Sequence, residues 1–504
     1  MPARSAQPAI ELGALTQGIM AAPAQPIANA IEIRDVTLDS RTVTPGALFL
    51  ACRGRASHGL KFLEAALANG AAAILWESAP GIGAPRVPAG VVAIEVPDLA
   101  RHVGRIADRF FGSPSAALTV AGVTGTNGKT TTAYLLAQAL DACGEPAAYA
   151  GTLGFGRARA LRPATHTTPD CVSVHRQLAD ARGQGLRNVA MEVSSHALDQ
   201  GRVDAVRFRT AIFTNLTRDH LDYHATMESY GAAKARLFAT PELEHRVINV
   251  SDDYGRVLAA RARDAGELTT VATEASAPRA EKFVIARHVR TMPRGLDIDA
   301  ETHLGAINFD APLVGRFNAE NILLTLAALL ARGIALDRAA RALANVCAPA
   351  GRMETFHRQG RAVAVVDYAH SPDALAKALA ALREHCAGRL WCVFGCGGDR
   401  DPGKRPLMAA VVERHADVAL LTDDNPRNET PDAIVADILR GFGNASRVRV
   451  IRDRDAAIRT ALGEAGTEDV VLIAGKGHED YQIYGSEQRA FSDRAVVLQS
   501  LESA

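Results

Sequence analysis

Short apolar runs alternate with turn residues and a helical pattern in the first hundred residues of the chain. The runs with the length of short strands are Ala47–Ala51, Ala72–Trp76 and Val91–Val96. Phe62–Ala68 has the spacing of a helix between them. We therefore predict a small α/β domain over residues 1–112, in which the alanine- and proline-rich residues 1–29 form a loosely ordered extension.

From residue 113 to 345 the pattern alternates between buried strands and helices. The strand candidates are Ala117–Val120, Arg187–Val193, Thr210–Thr214 and Arg246–Val250. This alternation predicts a mostly parallel sheet with helices on both faces. Residues 280–315 carry apolar runs at hairpin-like spacing, which predict a small β insertion or subsheet. Asn318–Arg332 should then form an apolar helix that Gly333 ends.

A second alternating series occupies residues 346–504. Its strand candidates are Val363–Val366, Leu390–Phe394, Val418–Leu421 and Val470–Ile473. Each of them is followed by a cluster of glycine, aspartate or histidine residues, at the strand ends where such sheets bind ligands. The predicted fold class is therefore α/β with three domains: a small N-terminal domain, a central domain with a mostly parallel sheet, and a C-terminal Rossmann-like doubly wound domain.

Composition narrows the classes of protein that fit. The chain has 504 residues, of which 48% are apolar and 22% charged, with a formal net charge of +0. We expect no nucleic-acid or membrane partner, because basic residues are not in excess and no apolar run is long enough to span a bilayer. The scattered cysteines and the absence of a signal-peptide pattern predict a cytoplasmic protein with free thiols.

The motif that carries the most chemistry is residues 121–132, a glycine-rich turn between a strand candidate and a helix candidate. Glycines allow backbone N–H groups to converge on a phosphate, and the helix N-terminus and Lys129 add positive charge. We predict a P-loop ATPase-type central domain. The first glycine of the usual motif would fall on Val123, so the spacing is imperfect, and a chance match at a helix start is the alternative.

Two clusters in the central domain carry further candidate chemistry. Glu192-Val-Ser-Ser-His196 follows a strand candidate, so its carboxylate could hold a metal beside a triphosphate, although the serines could simply cap a helix. Asn215–His224 holds two aspartates and two histidines within ten residues, for which a solvated loop is the alternative. Lys234, on a helical stretch among small residues, would ordinarily be solvent-exposed.

Four more clusters follow the C-terminal strand candidates. Asp367–Pro372 could contact a nucleotide. Gly395–Arg400, Asp424–Arg427 and Gly475–Glu479 together carry two arginines and a glutamate. These side chains suit a ligand with carboxylates and an amine, because arginine binds carboxylates in a bidentate manner and glutamate pairs with ammonium.

Five of these motifs, in this order, resemble those of the Mur ligase family of peptidoglycan synthesis. They are the glycine-rich loop, Glu192-Val-Ser-Ser-His196, Asp219-His-Leu-Asp222, Asp367-Tyr-Ala-His370 and Gly475-Lys-Gly-His-Glu479. The resemblance extends over nearly the whole chain from about Asp35. It implies an ATP-dependent ligase that adds meso-2,6-diaminopimelate to the D-glutamate γ-carboxylate of UDP-N-acetylmuramoyl-L-alanyl-D-glutamate, through an acyl phosphate, in the cytoplasm.

The resemblance also implies roles for residues toward ATP and two Mg²⁺ ions. The implied ATP contacts are Gly125, Thr126, Asn127, Gly128, Lys129, Thr130, Thr131, Asn318, Arg352, Asp367 and His370. The implied metal ligands are Thr130, Glu192, His220 and Lys234, the last as a carbamylated lysine. Lys129, Glu192, His220 and Lys234 would thereby serve catalysis.

The two remaining substrates are assigned residues in the same way. The UDP-linked substrate would contact Ser40, Thr167, Thr168, Ser194, Gln200 and Arg202. Diaminopimelate would contact Arg400, Asp424, Asn425, Pro426, Arg427, Gly475 and Glu479. His166 stands where some relatives have asparagine, so we assign it no contact.

The choice of amino acid is the most specific of these expectations. The guanidinium of Arg427 suits the distal carboxylate of diaminopimelate, which lysine lacks.

Two alternatives remain. One is a related ligase, such as the lysine-adding enzyme or folylpolyglutamate synthase, and the other is a P-loop ATPase switch that forms no bond. We expect a monomer.

Overall fold

The computed structural model describes residues 9–19, 30–54, 57–164, 166–263 and 265–502. Its contacts divide the chain into two units. The first unit comprises residues 1–129, 140–248 and 252–268, and the second comprises residues 130–139, 249–251 and 269–504. The α/β class is confirmed, whereas this division does not test the predicted domain boundaries at residues 112 and 345, which stay predictions.

The first unit begins with a small parallel sheet. Its strands, in spatial order, are β3 (Asp35–Thr37), β4 (Ala47–Ala51), β5 (Ala71–Trp76) and β6 (Val92–Glu95), preceded by the antiparallel pair β1 (Ile10–Glu11) and β2 (Glu32–Ile33). Its helices are α1 (Leu12–Thr16), α2 (Leu63–Ala68) and α3 (Val103–Phe110). The three predicted strands and the predicted helix are all present.

Residues 9–19 differ from the expected loose extension. They form β1 and α1, and the side chains of Leu12 and Leu15 are buried in the apolar core of this sheet. Burial of two leucines favours an ordered segment, because apolar surface removed from water stabilises the fold. The rest of the predicted extension, residues 1–8 and 20–29, lies outside the described residues.

A second sheet of the first unit positions the glycine-rich loop. Its strands are β7 (Thr119–Thr124), β8 (Ala147–Gly151), β9 (Gly154–Arg157), β10 (Ala160–Arg162), β11 (Asn188–Glu192), β12 (Phe208–Phe213) and β13 (His245–Asn249). The spatial order is β10-β9-β8-β11-β7-β12-β13, and the strands from β8 to β13 in this order run parallel. Strand β7 is therefore flanked by β11 and β12, and all three end at the same edge.

The helices that alternate with these strands confirm the expected pattern. They are α4 (Lys129–Ala142), α5 (Cys171–Gly183), α6 (Ser195–Asp199), α7 (Leu221–His224), α8 (Met227–Ala235) and α9 (Asp253–Ala262). Side-chain caps define several of these boundaries. Asp170 accepts a hydrogen bond from the Ser173 N–H at the start of α5, and Ser194 accepts one from the Ala197 N–H at the start of α6.

The β insertion predicted over residues 280–315 lies in the second unit. Strand β14 (Glu267–Ala272) runs parallel to β15 (Lys282–Met292), and β16 (Gly295–Thr302) and β17 (Gly305–Ala311) follow as antiparallel neighbours. Helices α10 (Asn318–Ala331) and α11 (Leu336–Leu343) come next. Gly333 has a φ of 76°, so the predicted stop of α10 rests on a conformation that glycine adopts without strain.

The remaining part of the second unit is the expected doubly wound sheet. Its spatial order is β18 (Glu354–Phe356), β19 (Val363–Asp367), β23 (Val470–Ala474), β20 (Leu390–Phe394), β21 (Val418–Leu421) and β22 (Val448–Val450). Its helices are α12 (Pro372–Arg383), α13 (Lys404–His415), α14 (Pro431–Leu439), α15 (Arg454–Glu464) and α16 (Asp493–Glu502). A hairpin of β24 (Tyr481–Tyr484) and β25 (Glu487–Ala490) follows β23.

A buried ion pair lies beneath the end of β23. The Nε of Arg454 donates to Asp493 at 2.7 Å, and both side chains are 0% exposed. A second nitrogen, Nη2, donates to the carbonyl of Ala474 at 3.0 Å. Because an unpaired charge would be strongly unfavourable here, the pair ties α15 and α16 to the strand end that precedes Gly475. No helix among the described residues combines the length and the apolar composition needed to cross a membrane.

Candidate active site

The glycine-rich loop leaves β7 in a conformation that side chains disfavour. Gly125 and Gly128 have φ values of 150° and 83°. A Cβ at Gly125 would lie 1.8 Å from the Oγ1 of Thr214. The loop therefore approaches the end of β12 so closely that only glycine fits at this position.

Lys129 begins helix α4 and folds back over the loop. Its Nζ donates to the carbonyls of Gly125 and Thr126, at 2.9 Å in each case. The side chain is half-buried. An ammonium therefore lies at the N-terminus of α4 beside the glycine turn, and positive charge at a helix N-terminus attracts phosphate.

The segment after β12 braces the loop. Thr214 donates through Oγ1 to the carbonyl of Asn127 at 2.6 Å, and the Asn127 N–H donates to Oδ1 of Asn215 at 2.9 Å. The Thr126 N–H donates to the carbonyl of Asn215 at 2.8 Å. Asn215 belongs to the candidate cluster 215–224, but this supporting role was not predicted from the sequence.

Glu192 ends β11, where it is paired in register with Val123 of β7. Its carboxylate is buried and accepts hydrogen bonds from the Tyr149 hydroxyl and, at 2.8 Å, from the Thr152 N–H. Tyr149 and Thr152 lie on β8 and after it, and no sequence signal pointed to them. These donors, together with the Thr152 hydroxyl at 3.4 Å, fix the orientation of the carboxylate.

Lys234 is buried, which excludes the alternative of an ordinary solvated lysine. Its side chain is 1% exposed, its Nζ donates to the carbonyl of Gly125 at 2.7 Å, and the ammonium lies 4.3 Å from the ring centroid of Tyr230. Burial, together with the smaller effect of the charge of Lys129, lowers the pKa of Lys234 to about 6. Above that pH the amine is neutral and can act as a nucleophile.

His220 lies in an aromatic cluster beside Lys234. Its ring centroid is 4.9 Å from that of His196 and 6.0 Å from that of Tyr230. His220 has a φ of 52°, and its Nε2 is 3.5 Å from a carboxylate oxygen of Asp219. Burial lowers the pKa of His196, and the neighbouring His220 and His224 lower it further.

Of the four proposed metal ligands, Thr130 and Glu192 are hard oxygen donors, whereas Lys234 would become one only as a carbamate. Thr130 offers a hydroxyl directly after Lys129, and Glu192 offers a carboxylate. Within the described ranges, no group of three or more histidine, cysteine, aspartate or glutamate side chains is arranged to hold a metal by itself. The donor set nevertheless fits Mg²⁺, which typically takes one or two protein carboxylates together with substrate phosphates and water.

Four of the residues expected to bind the UDP-linked substrate form one hydrogen-bonded chain. Thr168 donates to the carbonyl of Glu192 at 2.9 Å and accepts from the Ser194 N–H at 3.2 Å. Arg202 donates to the Thr168 carbonyl at 2.9 Å and to Oε1 of Gln200 at 2.6 Å. The structure therefore brings these residues to the carboxyl end of β11.

The other two expected contacts of that substrate also belong to the first unit. Thr167 is 3.0 Å from the Oγ1 of Thr152, oxygen to oxygen. Ser40 is buried at the start of a short 3₁₀ turn, and its carbonyl accepts from Asn69 at 2.9 Å. His166 is exposed.

Four of the expected ATP contacts lie between residues 318 and 370 of the second unit. Asn318 donates to the carbonyl of Val314 at 2.7 Å. Asp367, at the end of β19, accepts from the N–H groups of Met353 and Ala369, and burial raises its pKa. Arg352 is the third contact. Its guanidinium lies 5.0 Å from the Tyr368 ring, and its buried Nε has no described partner. The fourth contact, His370, is exposed. Thr131 is half-buried on α4.

The expected diaminopimelate ligands come from the loops after β20, β21 and β23. Arg427 has a φ of 52° and donates through Nη1 to the carbonyl of Gly398 at 2.7 Å. A Cβ at Gly397 would be 2.8 Å from that Nη1 and 3.8 Å from Cγ of the exposed Arg400. Both arginines therefore lie next to Gly397, in the loop after β20.

The acidic side of this group is equally close-packed. Asn425 donates to Oε2 of Glu479 at 3.0 Å. Gly475 has a φ of 118°, and a Cβ there would be 2.7 Å from Oδ2 of Asp424. The carbonyl of Pro426 would be 1.9 Å from a Cβ at Gly398. The structure thus assembles all seven expected residues on one set of strand ends, together with Lys476, which the sequence analysis did not single out.

Comparison with known proteins agrees with this arrangement. Three family models match, described as the Mur ligase family catalytic domain over residues 32–111, the Mur ligase middle domain over residues 123–329 and the Mur ligase glutamate ligase domain over residues 351–477. A UDP-N-acetylmuramoyl-L-alanyl-D-glutamate–2,6-diaminopimelate ligase of Pseudomonas aeruginosa is 50% identical over 92% of this chain and 93% of its own. The chain belongs to the Mur ligase family.

Other relatives support the same assignment. A ligase of the same name from Xanthomonas campestris is 49% identical over 94% of this chain and 95% of its own. A solved structure of a ligase of that name has a TM-score of 0.74 and 34% identity, covering 98% of this chain and 99% of that one. The three-domain Mur ligase architecture is thereby confirmed. Folylpolyglutamate synthase of Mycobacterium tuberculosis, at 18% identity and a TM-score of 0.57, shares the fold alone.

We predict that Gly125→Ala removes nucleotide binding. The added Cβ would overlap Thr214 and would require a φ that alanine rarely adopts, so the loop carbonyls and N–H groups must shift. ADP binding measured by calorimetry should weaken by about 100-fold or more, the usual penalty for a misplaced site. Gly183→Ala, on α5 with nothing within 4 Å of the new Cβ, is the control and should bind ADP normally. Equal affinity in both variants would contradict the proposed cradle.

Proposed function

We propose that this Mur ligase adds meso-2,6-diaminopimelate to the D-glutamate γ-carboxylate of UDP-N-acetylmuramoyl-L-alanyl-D-glutamate, using ATP, in cytoplasmic synthesis of the peptidoglycan precursor. One observation carries the choice of amino acid. The loops after β20, β21 and β23 place two carboxylates, Asp424 and Glu479, in one group with the guanidinium of Arg427. Carboxylates suit an ammonium and the guanidinium suits a carboxylate, as an amino acid with two such ends requires.

The central loop supports phosphoryl transfer as the first step. The γ-carboxylate of the peptide attacks the γ-phosphate of ATP, which gives an acyl phosphate and ADP. Lys129 can release the carbonyls of Gly125 and Thr126 and neutralise charge on the transferring group. The positive φ values of Gly125 and Gly128 set the shape of the loop that carries Lys129.

The amine of diaminopimelate then attacks the acyl carbon, and phosphate leaves after a tetrahedral intermediate. The attacking amine must be neutral, while the remaining charged groups of diaminopimelate must be bound by the protein. Arg427 would bind the distal carboxylate, and Asp424 and Glu479 would hold an ammonium. Lysine would leave the guanidinium without its partner, which disfavours lysine strongly.

Two Mg²⁺ ions would supply Lewis-acid stabilisation of the phosphate oxygens when bound. Thr130 and Glu192 would hold one of them. His220 and Lys234 would help hold the other, provided that Lys234 is carbamylated, because a carbamate is an anionic oxygen ligand and an ammonium is not. The buried, neutral state of the Lys234 amine above about pH 6 supports this modification, since only a neutral amine adds CO2.

The purified chain tests the proposed function directly. With ATP, the nucleotide dipeptide and diaminopimelate, we expect ADP and a product whose mass equals that of the nucleotide tripeptide. Lysine in place of diaminopimelate should react about 10⁴-fold less efficiently, as a site with an unpaired buried group rejects an analogue. ADP release in the absence of both the nucleotide dipeptide and an amino acid would instead indicate an ATPase switch. Efficient addition of lysine to the nucleotide dipeptide would indicate the lysine-adding ligase, and addition of glutamate to a folate would indicate folylpolyglutamate synthase.

Replacement of Arg427 tests the amino-acid assignment. Arg427→Ala should raise the KM for diaminopimelate by about 30-fold or more, because a ligand carboxylate loses a charged partner. The KM values for ATP and the nucleotide dipeptide should not change. Arg459→Ala, on the exposed face of α15, is the matched control. Unchanged diaminopimelate kinetics in Arg427→Ala would contradict this assignment.

A labelling experiment tests the modification of Lys234. After equilibration with ¹³C-bicarbonate at pH 8, the protein should show a carbamate resonance that disappears as the pH falls through about 6, where the amine becomes protonated. Lys234→Met should lack this resonance and lose about 100-fold in activity. Lys377→Met, which replaces a lysine whose side chain is 70% exposed, should keep both. Full activity in CO2-free buffer would argue against a carbamate.

A further inference from the structure

Lys476 is the fully buried charge of the amino-acid site. Its side chain is 0% exposed, although it lies in a loop between β23 and β24. The flanking Gly475 and Gly477 have φ values of 118° and 55°. These left-handed conformations turn the chain twice within three residues, and the lysine side chain points into the protein as a result.

The ammonium of Lys476 contacts three of the expected diaminopimelate ligands. Its Nζ is 3.0 Å from Oδ1 of Asn425, 3.3 Å from Oε2 of Glu479 and 3.6 Å from Oδ1 of Asp424. The ring centroid of Tyr481 lies 5.6 Å away. One buried cation is thus shared by residues from two separate loops.

These contacts fix how each partner faces the site. Both donors to Glu479, Lys476 and Asn425, reach Oε2, and within the described part of the chain its Oε1 accepts no hydrogen bond. Oδ1 of Asn425 also accepts from the Ile483 N–H at 3.1 Å, so the amide orientation is defined by two donors. The Glu479 side chain is 17% exposed. One carboxylate oxygen is therefore left for an ammonium from solution.

The electrostatic balance depends on the same residue. Asp424 and Glu479 would repel each other without a cation between them. Holding the two carboxylates in one site would then be electrostatically unfavourable. A buried ammonium is itself unfavourable unless it is paired and hydrogen-bonded, and an apolar side chain would fill the space more stably. Lys476 meets the pairing condition with carboxylates that belong to the amino-acid site, which indicates a role there.

We propose that Lys476 is a positioning residue, which aligns Glu479 and Asn425 for the ammonium of the incoming amino acid without touching the substrate itself. This inference rests on the proposed function, because it requires that Asp424, Asn425 and Glu479 bind that amino acid. Lys476 would thereby affect the affinity for diaminopimelate and not the affinity for the other two substrates. The phosphate loop and the nucleotide substrate do not depend on it.

Lys476→Met tests the proposal, because methionine keeps the unbranched stem and removes the charge. The KM for diaminopimelate should rise about 10- to 100-fold, the range found when a residue that orients a ligand is replaced. The KM values for ATP and the nucleotide dipeptide should stay as in the unsubstituted protein. Hydroxylamine, a small nucleophile that does not use the amino-acid site, should trap the acyl phosphate as a hydroxamate at the normal rate.

A second variant, Lys476→Ala, separates the effect of lost charge from the effect of lost packing. It also provides a test if Lys476→Met does not fold. In Lys476→Ala, added propylammonium should enter the vacated space and lower the KM for diaminopimelate, whereas neutral 1-propanol should not. A purely structural role predicts equal effects of both additives. Rescue by the cation alone supports the positioning role.

The outcomes distinguish this inference from the function beneath it. Normal hydroxamate formation with an unchanged KM for diaminopimelate in Lys476→Met overturns the role of Lys476 and leaves the proposed function intact. Equal loss of hydroxamate formation and ligation also overturns it, because the lysine would then support the whole fold. Failure of the unsubstituted protein to form hydroxamate from ATP and the nucleotide dipeptide overturns both proposals.

Discussion

Parallel strands of one sheet must end at the same edge, and this constraint organises the candidate chemistry of both units. In the first unit β11, β7 and β12 are neighbours, and they lead into Glu192, the glycine-rich loop and Asn215. In the second unit β19, β23, β20 and β21 are neighbours, and the expected nucleotide and amino-acid ligands follow them. Residues far apart in the chain therefore meet without any long connecting structure.

The strand ends also explain why glycine is needed in particular places. The chain must turn sharply at the edge of a sheet while a neighbouring loop passes close by. Gly125 faces Thr214 and Gly475 faces Asp424 at distances that exclude a Cβ. Both have positive φ values, so glycine satisfies two requirements at once: the backbone conformation of the turn and the lack of space for a side chain.

Two buried lysines show how partners decide the chemistry of one side-chain type. Lys234 donates to a backbone carbonyl and lies near Lys129, and burial lowers its pKa to about 6. Lys476 is surrounded by the oxygens of Asp424, Asn425 and Glu479. The first environment favours a neutral, reactive amine, and the second holds a fixed cation that orients its neighbours. Local sequence does not supply the partners that distinguish these environments, because Gly125, Asp424 and Asn425 are distant in the chain.

The sequence by itself determined the element types, their order and the motifs at the strand ends. Runs such as Ala47–Ala51 and Leu390–Phe394 are strands with the predicted bounds, because burial on both faces leaves a continuous apolar run. It did not determine the ordered α1, the short β8–β10 group, the burial of Lys234 or the contacts of Lys476. Those depend on partners distant in the chain, such as Asn425, which is 51 positions from Lys476. Local periodicity carries no information about such partners, so only the tertiary structure could decide them.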